Sequence, residues 1–225
     1  METARKWRLV PLNVANDVDV PIPDHYEIKP LTVDQAKQFL KVLENDRLYA
    51  FYVLMCTTAT RRGEALALQK KNLLLDDGVV LIRHSLTQIH GKGLVIGEPK
   101  SKASRRDIAL SPFAVDVLRK HLKNFPNNST FVFATHNDTP FSPRNIARHF
   151  KEKLVEAGLS RTVRMHDLRH SVISWLLASG GISIKDAQGL AGHAQASTTL
   201  NIYGHLLPDY SRNAAAKIEG LFGTE

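Results

Sequence analysis

At 225 residues the chain is long enough for one large domain, or for one domain with an appendage, and it needs no disulfide staples to support a core. Apolar residues make up 43% and charged residues 23%, which excludes a disordered or fibrous chain. Thirty Lys and Arg against 22 Asp and Glu leave a formal charge of +8, a basic excess that suggests a polyanionic partner. Cys56 is the single cysteine, so an internal disulfide and a thiolate metal cluster within one chain are excluded. The longest apolar stretch, residues 48–56, is far short of the roughly 20 residues that cross a bilayer, and no charged-then-apolar leader opens the sequence. A soluble protein in a cytoplasmic setting is expected.

The opening segment is punctuated by Pro11, Pro21, Pro23 and Pro30, and residues 16–19 carry no helical stripe, so an extended linker is expected there. After it, Thr32 and Gln35 form a capping box that starts a helix with Ala36, Phe39, Leu40 and Leu43 at helical spacing. A more apolar helix follows over about 47–57 and a short one over 63–68. Strands are expected at 73–75 and 79–84, because Asp76-Asp77-Gly78 between apolar runs is a hairpin signal. Further extended pieces fall at 94–96 and 106–110. Ser111-Pro112 then reads as N-cap and first helical residue, with Phe113, Val117, Leu118, Leu122 and Phe125 as a buried stripe. Ser142-Pro143 repeats the device, opening a helix through Ile146, Phe150 and Leu154 that stops at Gly158. A helix over 166–178 and two or three short ones complete an α+β chain, mainly helical with one small antiparallel sheet.

Four local features bear on chemistry. Lys100, Lys102, Arg105 and Arg106 fall within seven residues, and residues 144–169 carry seven basic against three acidic side chains; a solvated surface is the plain reading of either run alone. In Arg61-Arg62-Gly63-Glu64, arginine at a helix start is unhelpful to the dipole, so one of the pair is expected to face an anion, with Glu64 placed to hold Arg61 at i, i+3. In His166-Asp167-Leu168-Arg169-His170, His166 and Arg169 share a helical face and can converge on one phosphate. His166 and His170 also have the spacing of a zinc-binding helix. Asp167, however, stands where the metalloprotease pattern has glutamate, and Arg169 would repel the cation. His170 and Trp175 are expected simply to pack. Leu190-Ala191-Gly192-His193 reads as a glycine-bounded turn, followed ten residues on by Tyr203. A phenol with a pKa of ~10 is a poor nucleophile at neutral pH unless cations surround it.

Taken in order, these pieces resemble the catalytic domain of the tyrosine recombinase (phage integrase) family. Thr57-Thr58-Ala59-Thr60-Arg61-Arg62-Gly63-Glu64 looks like its first-arginine motif, and Pro99-Lys100-Ser101-Lys102 with Ser104-Arg105-Arg106 like its lysine hairpin. His166-Asp167-Leu168-Arg169-His170 looks like its HxxR box, and Gly189-Leu190-Ala191-Gly192-His193 and Thr198-Thr199-Leu200-Asn201-Ile202-Tyr203-Gly204-His205 like its closing histidine and nucleophile motifs. The family commonly has glycine then leucine or methionine before the first arginine, where this chain has Ala59-Thr60, and leucine where it has Ala191.

The resemblance implies a tyrosine recombinase catalytic fold over residues 29–207, preceded at 1–28 by the end of a core-binding domain with its linker and followed at 208–225 by a C-terminal tail helix. By the same resemblance the chain is a piece of a longer protein. The implied catalytic residues are Arg61, Lys100, His166, Arg169, His193 and Tyr203, with Lys102, Arg105, Arg106, Arg144 and Arg148 on DNA. No cofactor and no metal are implied. The implied partner is a double-stranded DNA attachment site in a bacterial host, bound by a homotetramer of the full-length protein, the fragment being monomeric off DNA. A type IB topoisomerase, a noncatalytic DNA-binding module and a zinc hydrolase built on His166 and His170 remain the alternatives.

Overall fold

The computed structural model describes residues 1–18, 30–99, 104–193 and 195–204. Lys100, Lys102 and the expected tail at 208–225 lie outside the described residues. Residues 1–18, expected to be extended, hold a helix, α1 (Glu2–Lys6), and a 3₁₀ turn at Val14–Asp17. No residue of α1 is buried; a Glu2–Arg5 pair at 2.6 Å and the Asn13 cap on Ala15 stand in for the missing apolar stripe.

The Thr32 capping box starts α2 (Val33–Lys41), whose Ala36 and Phe39 face inward. The chain then enters α3 (Tyr49–Thr58), which is apolar all round because it runs through the middle of the domain, packed by α2 and by two later helices. Phe39 meets Tyr52 and Phe150 edge to face around it, and Tyr52 stacks on Phe150. α3 ends at Ala59, in the left-handed conformation at φ 52° that a glycine adopts more readily, and the one-turn helix α4 (Arg62–Leu66) follows.

Two antiparallel sheets replace the single one expected. β1 (Leu73–Leu74), β2 (Val79–Ile82) and β5 (Arg106–Ala109) form the first in the order β1-β2-β5, with buried Val80 opposite buried Ile108. β3 (Ser85–Ile89) and β4 (Gly93–Gly97) form a separate hairpin, Leu86 opposite Ile96. The expected strand over 79–84 stops at Ile82, and β3 goes unread in the sequence because Thr87, Gln88 and Ile89 are all exposed and show no alternation.

α5 (Pro112–Asn124) starts as expected, the Ser111 hydroxyl accepting from the Ala114 amide at 3.3 Å. Its inner face is Ala114, Leu118 and His121, however, and Phe113 stands 50% exposed. The i, i+4, i+7 phase that seats Leu118 against α3 turns Phe113 outward. α6 (Pro143–Glu156) buries Ile146, Phe150 and Leu154 as expected, although Ser142 makes no side-chain cap. α7 (Met165–Ala178), α8 (Ile184–Ala191) and α9 (Ala196–Tyr203) close the described chain. α7 is shared between two cores: Met165 and Leu168 join the large cluster around α3, while Val172, Ile173 and Leu177 join a smaller one with Ala59, Ala187, Ala191 and Tyr203.

Gly63 of α4 lies against β3, where an added Cβ would sit 2.6 Å from the Leu86 carbonyl oxygen and 2.7 Å from the Ser85 hydroxyl. In an open helix, alanine is better than glycine by about 1 kcal/mol. Here the sign reverses: Gly63→Ala is expected to destabilise by roughly 1–3 kcal/mol through overpacking, read as a fall of about 5 °C in Tm by thermal circular dichroism.

Candidate active site

The site is assembled where the start of α4, the N-terminal half of α7 and the turn between α8 and α9 meet. Its base is Glu64, 2% exposed, at the third position of α4. One carboxylate oxygen accepts from the Arg61 backbone amide at 2.9 Å and the other from Arg61 Nη1 at 2.7 Å. Arg106 of β5 donates to both oxygens, at 3.2 and 2.9 Å. Burial opposes ionisation of Glu64, but the two guanidiniums outweigh it and hold the carboxyl below its ordinary value.

Both arginines then reach across to the α8–α9 turn. Arg61 Nη2 donates to the Gly192 carbonyl at 3.1 Å and Arg106 Nε to the Leu190 carbonyl at 2.9 Å. Gly192 ends α8 at φ 58°, the left-handed turn that points His193 back toward the arginines. Arg169, 1% exposed, is threaded between the two cores, donating through Nη1 to the Ala59 carbonyl at 2.8 Å and through Nη2 to the Ala191 carbonyl. Its Nε is buried and finds no acceptor among the described residues. Burial and the nearby guanidiniums of Arg61 and Arg106 pull Arg169 down to about 9, so it remains charged at neutral pH.

The histidines register the same field. Burial, then His170, Arg169 and Arg61, push His166 down to about 4; burial, then Arg169 and Arg61, do the same to His193. Both are neutral at pH 7. His193 Nδ1 pairs with the Thr199 hydroxyl at 2.9 Å. Tyr203, 1% exposed at the end of α9, is hydrogen-bonded through Oη to His170 Nδ1, and burial raises its phenol above the ordinary value against the opposing pull of Arg169. His166 and His170 stack edge to face at 4.8 Å. Among the described residues no group of three or more His, Cys, Asp or Glu could hold a metal ion, so this histidine pair lacks a third ligand there.

A sequence model of the phage integrase family matches residues 29–209. The chain belongs to that family. Two relatives named as integrases illustrate the match. A putative prophage phiRv2 integrase of Mycobacterium tuberculosis is 30% identical over 200 residues, covering 87% of this chain and 52% of the relative. The ICEBs1 integrase of Bacillus subtilis is 29% identical over 205 residues, covering 84% and 53%. The chain thus spans about half the length of these curated relatives. The fold is that of tyrosine recombinase catalytic domains. The Tn1549 transposon integrase in complex with transposon right end DNA superposes with a TM-score of 0.77 at 24% identity, over 92% of this chain and 70% of that one. The catalytic domain of bacteriophage HP1 integrase gives 0.60 at 17% identity, over 88% and 100%.

Of the residues singled out from the sequence of this integrase-family chain, Arg61, His166, Arg169, His193 and Tyr203 come together, although Arg61 and Gly192 are 131 positions apart. Arg106, expected on DNA, is 8% exposed on its side chain and turned inward because Glu64 claims it. Arg105 pairs with Glu98, and Arg148 is solvent-exposed, 3.9 Å from Glu152. Arg144 lines a depression with Arg62, adjoining the groove formed by Arg61, Arg62, Arg164 and His166. His170, expected only to pack, contacts the tyrosine hydroxyl. Thr199, the partner of His193, has no mark in the sequence as a site residue beyond its place four before Tyr203.

Replacing Glu64 removes one charge that two buried or half-buried guanidiniums share. Glu64→Gln is expected to cost about 3–5 kcal/mol at pH 7. A carboxyl held below its ordinary value of 4.5 contributes its stability above that pH and loses it as pH falls further. The gap between wild type and variant in urea titrations is therefore expected to narrow below about pH 4.5.

Proposed function

We propose that this chain is the catalytic domain of a site-specific DNA recombinase that cleaves and rejoins strands through a 3′-phosphotyrosyl intermediate, with no metal and no ATP, in the cytoplasm of a bacterial host. The observation that carries the reading is the convergence of Arg61, Arg169, His166 and His193 on one another, with Arg169 also acting on the Tyr203 phenol, from segments far apart in the chain.

Tyr203 Oη attacks the scissile phosphorus and the bond to the 5′ oxygen breaks, leaving a free 5′-hydroxyl. Arg61 and Arg169 clamp the nonbridging oxygens; a planar, permanently charged fork suits a phosphate, and the open Nε of Arg169 is a donor already desolvated. His166 and His193 are neutral in the empty site and donate N–H bonds to the same oxygens. An arriving phosphate raises both, because its charge opposes the field of the arginines. These groups supply at the phosphate the positive charge that metal ions bring in other phosphoryl transfers. Lys100 protonates the leaving 5′ oxygen, and Lys102, Arg105, Arg144 and Arg148 contact the flanking backbone. The full-length protein acts as a tetramer on paired attachment sites, and strand exchange between two duplexes separates this activity from relaxation by a topoisomerase.

On a nicked suicide duplex the chain is expected to form a covalent adduct that survives denaturation and excess EDTA. Tyr203→Phe is expected to abolish the adduct while DNA retention in a gel shift persists; an adduct from the Phe variant overturns the assignment. Lys100→Ala is expected to slow cleavage of ordinary DNA by roughly 10²-fold and to cleave a 5′-bridging sulfur substrate at the wild-type rate, since thiolate leaves without a proton donor.

A further inference from the structure

α7 carries a side chain that the mechanism above leaves unused. His170 is buried, and its Nδ1 is hydrogen-bonded to Tyr203 Oη with the two rings 5.7 Å apart. Among the described residues it is the side chain that meets the phenol oxygen. The other candidate bases are engaged elsewhere: His193 Nδ1 is on Thr199, and Glu64 is locked between two arginines. A phenol so deeply buried has no solvent to take its proton, so an attack by Tyr203 needs an acceptor already in contact.

We propose that His170, rather than His166, is the proton acceptor for Tyr203. The inference rests on the reading of Tyr203 as nucleophile. As the Oη–P bond forms and the P–O5′ bond breaks, the phenol proton passes to Nδ1 and His170 becomes an imidazolium; the general acid supplies the proton for the 5′ oxygen. On rejoining, the 5′-hydroxyl attacks and gives its proton back to the group that had supplied it, the P–Oη bond breaks, and the imidazolium returns its proton to Oη. The surroundings suit a base that is neutral at rest. Burial, Arg169 and His193 disfavour the imidazolium while Asp167 favours it, and the His166 ring lies edge-on beside it. The assignment also divides the pentapeptide of α7: His166 and Arg169 face the phosphate, and His170, one turn beyond His166, faces the nucleophile.

The test is single-turnover cleavage of the suicide duplex by the full chain with either tyrosine or 3,5-difluorotyrosine at position 203. The fluorinated phenol is more acidic and ionises without a base. His170→Phe keeps the bulk of the ring and is expected to slow cleavage by roughly 10²–10³-fold with tyrosine, and by under about tenfold with difluorotyrosine, at unchanged DNA affinity. His170→Asn places a polar but non-basic group near Nδ1 and is expected to be as slow as His170→Phe; it also carries the test if the Phe variant does not fold. His166→Phe is expected to lose the same factor with both phenols. Wild-type rates from His170→Phe, an equal loss with both phenols, or recovery by His170→Asn overturns the inference while leaving Tyr203 as nucleophile. Failure of the wild-type chain to form any adduct overturns the nucleophile reading and this inference with it.

Discussion

Glu64 is buried as an anion, and that is tenable only because Arg61 and Arg106 both donate to it. The three side chains come from the start of α4 and from β5, and each arginine places one further donor on the α8–α9 turn, Arg61 on the Gly192 carbonyl and Arg106 on that of Leu190. One carboxylate therefore ties the first sheet, the start of α4 and the α8–α9 turn into a single frame. Arg61 remains one-third exposed while Arg106 is sealed behind it. The arginine that faces the groove is thus held by one that does not.

Arg169 repeats the theme with carbonyls in place of a carboxylate. Its guanidinium crosses the seam between the two cores, its two Nη atoms bonded to the carbonyls of Ala59 at the end of α3 and Ala191 at the end of α8. α7 makes this possible by belonging to both cores, so that one side chain on it reaches the C-terminal ends of two other helices, where partial negative charge collects. The hydrogen bonds of Arg169 go to peptide carbonyls, while Glu64 favours its charge through space without a hydrogen bond to it.

The whole site is biased toward an anion before one arrives. Burial first, and then the arginines, hold His166 and His193 neutral and draw Arg169 below its ordinary value. Negative charge entering this field relieves the repulsion and strengthens every donor at once. Tyr203 sits at the edge of it, raised by burial and pulled down by Arg169, with His170 as its immediate partner. The acidity of the phenol is therefore set by its burial and by what α7 places against it, Arg169 and His170.

The sequence by itself determined the local units and the order of the motifs. Thr32 with Gln35, Ser111 with Pro112, and the Asp-Asp-Gly turn before β2 are decided within four residues by hydrogen bonds and φ preferences that each residue type carries with it. The pairing of Glu64 with Arg61 is of the same kind. Tertiary structure alone decided that Phe113 faces solvent, that β3 and β4 leave the first sheet, that Arg106 points inward and that His170 rather than His166 meets Tyr203. Each of those outcomes turns on a contact between distant segments: 42 positions separate Glu64 from Arg106 and 33 separate His170 from Tyr203. Residue type and spacing state which side chains can bear charge or pass a proton; which of two arginines or two histidines does so is settled by what packs against it.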